Sequence, residues 1–303
     1  MSTRPDDDDC VVTTKAAFEF ALGSEGEKPK LAAFKWKKKC LSDDDVRAIV
    51  FMAHGYAEYL NDNYEDLATF LADNGNAVVI GHDHLGHGRS DGPQAQTVID
   101  FEADYVVPIR EHVQYIQGQY PGRPVFIIGH SLGGLMTVLT LICEPGMFKG
   151  AVLVAPSLEI DPEQATPMKV GAAKLLGSVL PWLPLGYVDV NDLSRDLERV
   201  RKAAADELRY QGGVKSKFSK ACLKAMEKVA AEKAGISTPI LVQYGDQDRI
   251  CKPETTRKFF EDINTEDKEL KVYPGAFHNL LMELPETRQA TFDDINKWIV
   301  EKI

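Results

Sequence analysis

A serine, two aspartates and a histidine in this sequence are of the types, and in the order, that make an acyl-transfer site. Ser131 lies in Gly129-His130-Ser131-Leu132-Gly133-Gly134, entered by the short apolar run Val125–Ile128 and left by the helix formers Leu135–Ile142. That order of residues predicts a strand, a sharp turn and a helix. A serine at the tip of such a turn is lifted clear of the sheet. Gly129, Gly133 and Gly134 fit there because a side chain would strike the backbone crossing the turn. A hydroxyl is a poor nucleophile at neutral pH, so Ser131 needs a base, an acid to orient that base, and donors for the oxyanion. His278, in Pro274-Gly275-Ala276-Phe277-His278, is the only histidine after the serine and supplies the base. Asp246 and Asp248 follow the apolar run Ile240–Tyr244, and either can accept the proton on the far imidazole nitrogen.

These groups need a scaffold that brings distant segments to one rim. Ala48–Ala53, Ala77–Ile80, Val125–Ile128, Ala151–Ala155, Ile240–Tyr244 and Leu270–Tyr273 are short apolar runs of strand type. Between them fall helical segments: Asn61–Asp73, closed by Asn74-Gly75; a stretch with Val106, Ile109, Val113 and Ile116 on one face; Pro253–Ile263; and Pro285–Ile303. Strands alternating with helices at this spacing predict an α/β fold, a parallel sheet covered on both faces. Val11–Leu22 and Leu31–Lys39, joined by Gly23–Pro29, predict a hairpin with Phe18, Phe20, Phe34 and Trp36 at alternate positions. The alternation breaks between about Pro156 and Gly235. There Ala172, Leu175, Leu176, Val179 and Leu180 share a helical face, and Pro181 and Pro184 interrupt before Trp182, Leu183, Leu185 and Tyr187 extend the apolar stretch. The expected organisation is an acidic disordered tail over 1–10, a core over 11–156 and 236–303, and a helical cap over 157–235.

Composition narrows the functions. With 303 residues and a net charge of -11, the chain can bury a large core but has no basic surplus for nucleic acid. The basic run Lys35–Lys39 reads as the wet face of a strand. Cysteines 10, 40, 143, 222 and 251 are scattered and form no C-x-x-C pair, which fits reduced thiols and a cytoplasmic location. Met1–Cys10 carries four consecutive aspartates where a secretory signal needs a basic and then an apolar segment. No apolar run is long enough to span a bilayer, and the sequence specifies no oligomeric state. His82, His84 and His87 follow a strand at a spacing reminiscent of zinc hydrolases. However, Gly86 stands where a carboxylate ligand is needed, and no histidine between His130 and His278 completes the shell. No metal and no cofactor is expected; the loop is read as structural, with Asp83 and the histidines held in hydrogen bonds.

Six pieces then align with one known family. His54-Gly55-Tyr56-Ala57-Glu58, GHDHLGHGRSDG (81–92), YPGRPVFIIGHSLGG (120–134), Leu193-Ser194-Arg195, YGDQDRIC (244–251) and PGAFHNLLMELPE (274–286) resemble, in order, the monoacylglycerol lipase family of α/β-hydrolase-fold serine hydrolases. The resemblance implies Ser131 as nucleophile, His278 as general base then acid, and Asp248, directly before Arg249-Ile250-Cys251, as the orienting acid. Asp246 is then a polar turn residue. It implies an oxyanion hole from the backbone N–H groups of Tyr56 and Leu132, and puts Cys251 beside the acyl pocket as an oxidisable thiol, an inert buried cysteine being the alternative.

The implied substrate is a lipid ester. Leu175, Leu176, Val179, Leu180 and Trp182 of the cap are expected to line an acyl tunnel or to rest on a bilayer, with Lys169 and Lys174 flanking them and membrane contact peripheral and reversible. Glu58 either touches substrate or bonds backbone groups of its own loop. The family commonly has an Arg shortly after HG-x-x-E, a Tyr in the cap and a His three residues after the catalytic one. This chain has Asn61–Asn63, Ala203 and Leu281 at those places, so discrimination for glycerol is expected to be weaker. Hydrolase folds are also reused as silent binding proteins, a reading disfavoured by the presence of all three triad members.

Overall fold

The computed structural model describes residues 13–21, 29–92, 100–159 and 167–303. The acidic segment 1–10 with Cys10, most of the Gly23–Pro29 turn and the side chain of Lys169 lie outside that description. The chain runs β1 (Thr13–Ala21), β2 (Lys30–Lys38), β3 (Ala48–Ala53), α1 (Asp62–Gly75), β4 (Ala77–His82), a π-helical turn (Glu102–Val106) and α2 (Val107–Gln119). It continues through β5 (Val125–His130), α3 (Leu132–Cys143), β6 (Gly150–Val154), α4 (Pro167–Val179), β7 (Pro184–Gly186), α5 (Leu197–Ala205), β8 (Val214–Lys215) and α6 (Ser216–Glu232). Last come β9 (Ile240–Gly245), α7 (Pro253–Asp262), β10 (Lys268–Tyr273) and α8 (Pro285–Lys302).

Eight strands form one sheet in the order β1-β2-β4-β3-β5-β6-β9-β10. β2 is antiparallel to both of its neighbours, and every pair from β4 across to β10 is parallel. β3, β4, β5, β6 and β9 are buried at every residue, which is why they read as unbroken apolar runs rather than as alternating ones. α1 and α8 cover one face, where Leu67, Leu71, Ile295 and Trp298 meet Val50, Val79 and Phe126. α2, α3 and α7 cover the other, where Ile109, Val113, Leu135 and Phe259 meet Phe51, Ile80, Ile127 and Val242. Each such side chain contributes about 1.5–3 kcal/mol by leaving water. Because the strands run parallel, the loops after β3, β5, β9 and β10 emerge at one rim.

Several local features depart from the sequence expectation. α1 is capped by Asn61, whose side chain accepts the Asn63 N–H at 3.1 Å, and it ends not at Asn74-Gly75 but at Asn76, in the left-handed region with φ 49°. Asparagine tolerates that conformation. The helix carrying Val106 and Ile109 opens with a π turn. Pro108 follows in the first turn of α2, where proline is favoured. In the hairpin Phe34 and Trp36 are buried, whereas Phe18 and Phe20 pack on His112 and Tyr115. The neighbouring basic run is engaged by its own chain: Lys37 pairs with Asp43, Lys35 reaches Gln119, and both cations lie over the Tyr120 ring.

Among the described residues between β6 and β9, none joins the main sheet. The prolines at 181 and 184 end the α4 helix, but the chain is then caught by the start of α6. Ser216 N–H donates to Leu183 O at 2.8 Å and Lys217 N–H to Pro181 O at 3.1 Å, and β7 pairs with β8. This small ladder was not legible in the sequence. α6 buries Phe218, Ala221, Ala225 and Val229 in the cluster shared with α2 and α3, so this segment is anchored to the core.

Candidate active site

Ser131 stands between β5 and α3 with φ 53° and ψ -115°, a left-handed backbone. A non-glycine residue holds such a conformation at a cost of about 1–3 kcal/mol. It is fixed on both sides: its N–H donates to Val154 O of β6 at 2.9 Å, and its carbonyl accepts from Gly134 and Ser157 at 2.9 and 3.0 Å. A Cβ at Gly133 would overlap the carbonyl of Ala53 at the end of β3, so only glycine lets the first turn of α3 come this close.

Nε2 of His278 lies 2.9 Å from Ser131 Oγ, and its Nδ1 lies 2.8 Å from Asp248 Oδ2. The other Asp248 oxygen accepts the N–H groups of Ile250 and Cys251 at 2.8 and 2.9 Å, which stops the carboxylate rotating. The imidazole therefore holds its proton on Nδ1, toward the carboxylate, and turns a lone pair on Nε2 to the hydroxyl. Asp246 instead accepts the Gly275 N–H at 2.6 Å, tying the turn before the histidine. Of the two aspartates the structure brings Asp248, and not Asp246, to the imidazole.

The Gly55 loop sits against the serine. A Cβ on Gly55 would come within 3.4 Å of Ser131 Cβ and 2.9 Å of Glu58 Oε2. This places the next residue, Tyr56, at the same rim as Leu132, the first residue of α3. The Leu132 N–H is one of the donors a helix leaves unpaired at its positive end. Among the described residues neither the Tyr56 nor the Leu132 N–H has a backbone acceptor.

Behind these groups lies a buried polar cluster that sequence reasoning missed. The Tyr64 hydroxyl donates to Glu58 Oε2 at 2.7 Å and accepts the Gly55 N–H at 3.0 Å and the His130 Nδ1–H at 2.8 Å. Glu58 Oε1 accepts from Arg209 Nη1 and from Asn279 Nδ2, each at 3.1 Å. Glu58 thus bonds side chains, not the backbone of its own loop, and one of them comes from 151 residues away. Burial works against its carboxylate, but bonds from His130, Arg209 and Tyr64 outweigh it and hold the pKa well below the usual range. The Leu193-Ser194-Arg195 motif clamps the His278 loop. Leu193 O accepts the Asn279 N–H at 2.7 Å, Ser194 Oγ donates to Met282 O at 2.9 Å, and Arg195 Nε meets Glu283 Oε2 at 2.9 Å. Glu283 Oε1 in turn accepts the Phe277 N–H at 2.9 Å. A buried glutamate after His-Gly signals that a cation must reach it; spacing alone does not say which.

The histidine-dense loop after β4 is held by its own bonds. Asp83 accepts the N–H groups of Leu60 and Arg89 at 2.9 and 3.0 Å, and His54 bonds Gly55 O through Nδ1 and the His84 N–H through Nε2, both at 2.9 Å. The His54 and His84 rings lie 3.9 Å apart, and His82 Nδ1 faces His112 Nδ1 at 3.1 Å. Among the described residues no group of three or more His, Cys, Asp or Glu is arranged to hold a metal ion.

The expected pocket residues fare differently. Leu175, Val179, Leu180 and Trp182 are 65%, 66%, 52% and 54% exposed, and Leu176 is half-buried. Of the two expectations for this face, an acyl tunnel or a bilayer contact, such exposure favours the second, because a helix packed on α6 by one side leaves its other side in water. Leu281, expected at the substrate, is instead fully buried among the apolar side chains of the cluster under α1 and α8. Ala203 is buried with Leu193, Val200 and Met282. Cys251 is buried against Ser131 and Ser157. Burial, reinforced by the Asp248 carboxylate, pushes its thiol up, favouring the protonated form over a reactive thiolate.

A mostly parallel sheet with helices on both faces, carrying a serine elbow under a histidine and a carboxylate, defines an α/β-hydrolase-fold serine hydrolase. The profile of the family described as Serine aminopeptidase, S33, matches residues 44–285. The chain is 39% identical over 256 residues to the monoglyceride lipase of Homo sapiens, which spans 84% of this chain and 83% of that protein. It is 31% identical over 261 residues to the monoacylglycerol lipase of Mycolicibacterium smegmatis, with 86% and 91% covered. The crystal structure of Paleococcus ferrophilus monoacylglycerol lipase matches with a TM-score of 0.78 at 27% identity, over 90% of this chain and 99% of that one. The chain belongs to the monoacylglycerol lipase family.

Proposed function

We propose that the protein hydrolyses monoacylglycerols to glycerol and free fatty acid through an acyl-enzyme on Ser131. The observation that carries this reading is the Ser131–His278–Asp248 relay, with contacts of 2.9 and 2.8 Å, on a strained elbow. Nε2 of His278 takes the proton as Ser131 Oγ attacks the ester carbonyl. The N–H groups of Tyr56 and Leu132 receive the oxyanion, the alcohol leaves with the proton, and water activated by the same imidazole releases the acid.

Residues 157–235 act as a cap. The exposed run Leu175, Val179, Leu180, Trp182 and Tyr187 on it, with Lys217 over the Trp182 ring at 6.0 Å, supports peripheral docking on a lipid surface. Among the described residues no helix is long and apolar enough to cross a membrane. The unoxidised thiols of Cys143, Cys222 and Cys251 support a reducing, cytoplasmic setting.

Headgroup discrimination is the point on which a broader reading gains support. Leu281 and Ala203, at places where the family has polar side chains, are packed among apolar groups and offer no hydrogen bond to glycerol. Discrimination of alcohols comes from such buried pairs, so other esters of the same fatty acid are accepted as well. The test is a panel of glycerol and non-glycerol esters of one fatty acid, with Ser131→Ala alongside. Monoacylglycerol hydrolysis should fall by a factor on the order of 10⁴ or more in the variant. Activity surviving in Ser131→Ala removes the mechanism, and a strict glycerol preference removes the broader reading.

A further inference from the structure

We propose that Arg209 is a positioning residue of the hydrolysis: through Glu58 it fixes the Gly55–Glu58 loop against Ser131, so that the cap sets the geometry of the oxyanion donors. The inference rests on the Ser131 mechanism proposed above.

One short segment of the cap grips this loop at three successive places. Asp206 Oδ2 accepts the Tyr59 hydroxyl at 2.7 Å, Arg209 Nη1 donates to Glu58 Oε1 at 3.1 Å, and the Tyr210 N–H donates to Ala57 O at 3.0 Å. Ala57 is a non-glycine residue at φ 63°, a conformation that persists only where the surroundings impose it. Tyr56, between Gly55 and Ala57, is further held by the Phe218 ring of α6 at 4.8 Å. The N–H proposed to receive the oxyanion thus lies on a strained loop whose next three residues are all bonded to the cap.

Arg209 is the cationic member of this grip. Both it and Glu58 are buried, at 6% and 2% exposure. His130 also approaches Glu58, at 3.3 Å, while burial pushes its own pKa down. Among the described residues Arg209 is the only arginine or lysine paired with Glu58. Without it a buried carboxylate stands uncompensated and must take up a proton or draw in water. The same carboxylate also holds Gly55 through Tyr64 and the residue after His278 through Asn279. Any such adjustment moves the donor loop and the base loop together, without touching the ester.

The experiment uses p-nitrophenyl acetate, a soluble ester too short to need the cap's apolar surface, with rates normalised to sites titrated by a serine-directed fluorophosphonate. Arg209→Met should lower kcat per titrated site by about 10–100-fold, the effect of misplacing reacting groups by a fraction of an ångström to an ångström. KM should stay within about twofold, since no group binding the ground state is removed. Arg209→Lys, which keeps the charge, should recover about a third or more of the lost logarithm of kcat. A kcat per titrated site within about threefold of the parent, or a loss carried by KM, overturns the inference whatever the melting temperature does. If Arg209→Met does not fold, Tyr59→Phe removes a neighbouring contact of the same grip and should lower kcat by about 2–5-fold at unchanged KM; an unchanged kcat there also overturns it. An active parent, an inactive Ser131→Ala and a flat Arg209 series would sink this inference alone. Activity in Ser131→Ala would sink the mechanism beneath it.

Discussion

Asp248 and His278 are joined by a 2.8 Å contact between Oδ2 and Nδ1, while two backbone N–H groups lock the other carboxylate oxygen. Two residues earlier, Asp246 holds only a turn. An amide at 248 would offer the imidazole the wrong partner and favour the tautomer that cannot accept the serine proton. Asp248→Asn should therefore lower kcat by about 10⁴-fold. Asp246→Asn keeps an oxygen that can accept the Gly275 N–H and should cost no more than about tenfold. Steady-state kinetics of the two variants on one soluble ester decide the matter, and equal losses would contradict the assignment.

The elbow stores strain at Ser131, whose φ of 53° suits glycine. Ser131→Gly should therefore be more stable than Ser131→Ala by about 1 kcal/mol, although both are inactive. Gly133→Ala should do the reverse and cost about 3 kcal/mol or more, because its Cβ would overlap Ala53 O and the crossing strand cannot retreat. Urea melts of the three variants test both statements; a Ser131→Gly protein no more stable than Ser131→Ala would show the turn to be relaxed.

The order of strands and helices was legible because the central strands are buried on both faces and carry continuous apolar runs. The serine turn was legible because Gly129, Gly133 and Gly134 flank it. What the sequence withheld were contacts between segments with no local signature. Nothing near Glu58 announces Arg209 or Asn279, and Pro181 and Pro184 forecast a break but not the ladder that Val214–Lys215 supplies. The helical face of Leu175 and Val179 was visible as a pattern, but periodicity does not say whether a face meets protein or water. The choice between Asp246 and Asp248 likewise depended on which side chain the turn aims at His278, a matter of backbone direction.

Acid should weaken the fold before it protonates most carboxylates. Burial lowers the pKa values of His54, His82 and His84 well below the ordinary imidazole value, that of His87 to about 4 and that of His112 to about 3. Unfolded, these rings bind protons near pH 6.5, whereas folded they do not. The neutral-ring contribution to stability is thus complete above that pH and is lost as pH falls through the window from about 6.5 to the folded values. Each ring adds a slope of up to about 1.4 kcal/mol per pH unit. Glu58, whose pKa is also lowered, contributes stability that is complete above the ordinary carboxylate range and is lost only as pH falls below it, outside this window. Urea midpoints should therefore fall steeply between pH 6.5 and 5, and His112→Phe should remove about one proton from the linkage. A flat profile over that interval would mean that the rings are solvated.

The outward side of α4 and the chain beyond it present Leu175, Val179, Leu180 and Trp182 to water while Lys217 lies near the indole. Such a surface costs a soluble protein solubility unless something apolar covers it, and a chain that takes lipid esters meets a suitable cover at the lipid–water boundary. Leu175→Ser with Trp182→Ser removes two of the largest apolar groups without entering the Ser131 relay or the Glu58 cluster. At about 25 cal/mol per Å² of apolar surface, the pair is worth on the order of 2–4 kcal/mol if both insert fully. Binding to phosphatidylcholine vesicles in a flotation assay should then weaken by about tenfold or more, while kcat/KM on p-nitrophenyl acetate stays within about twofold. Unchanged vesicle binding would mean that this face is not the docking surface, and an equal loss on the soluble ester would place it on the path to Ser131 instead.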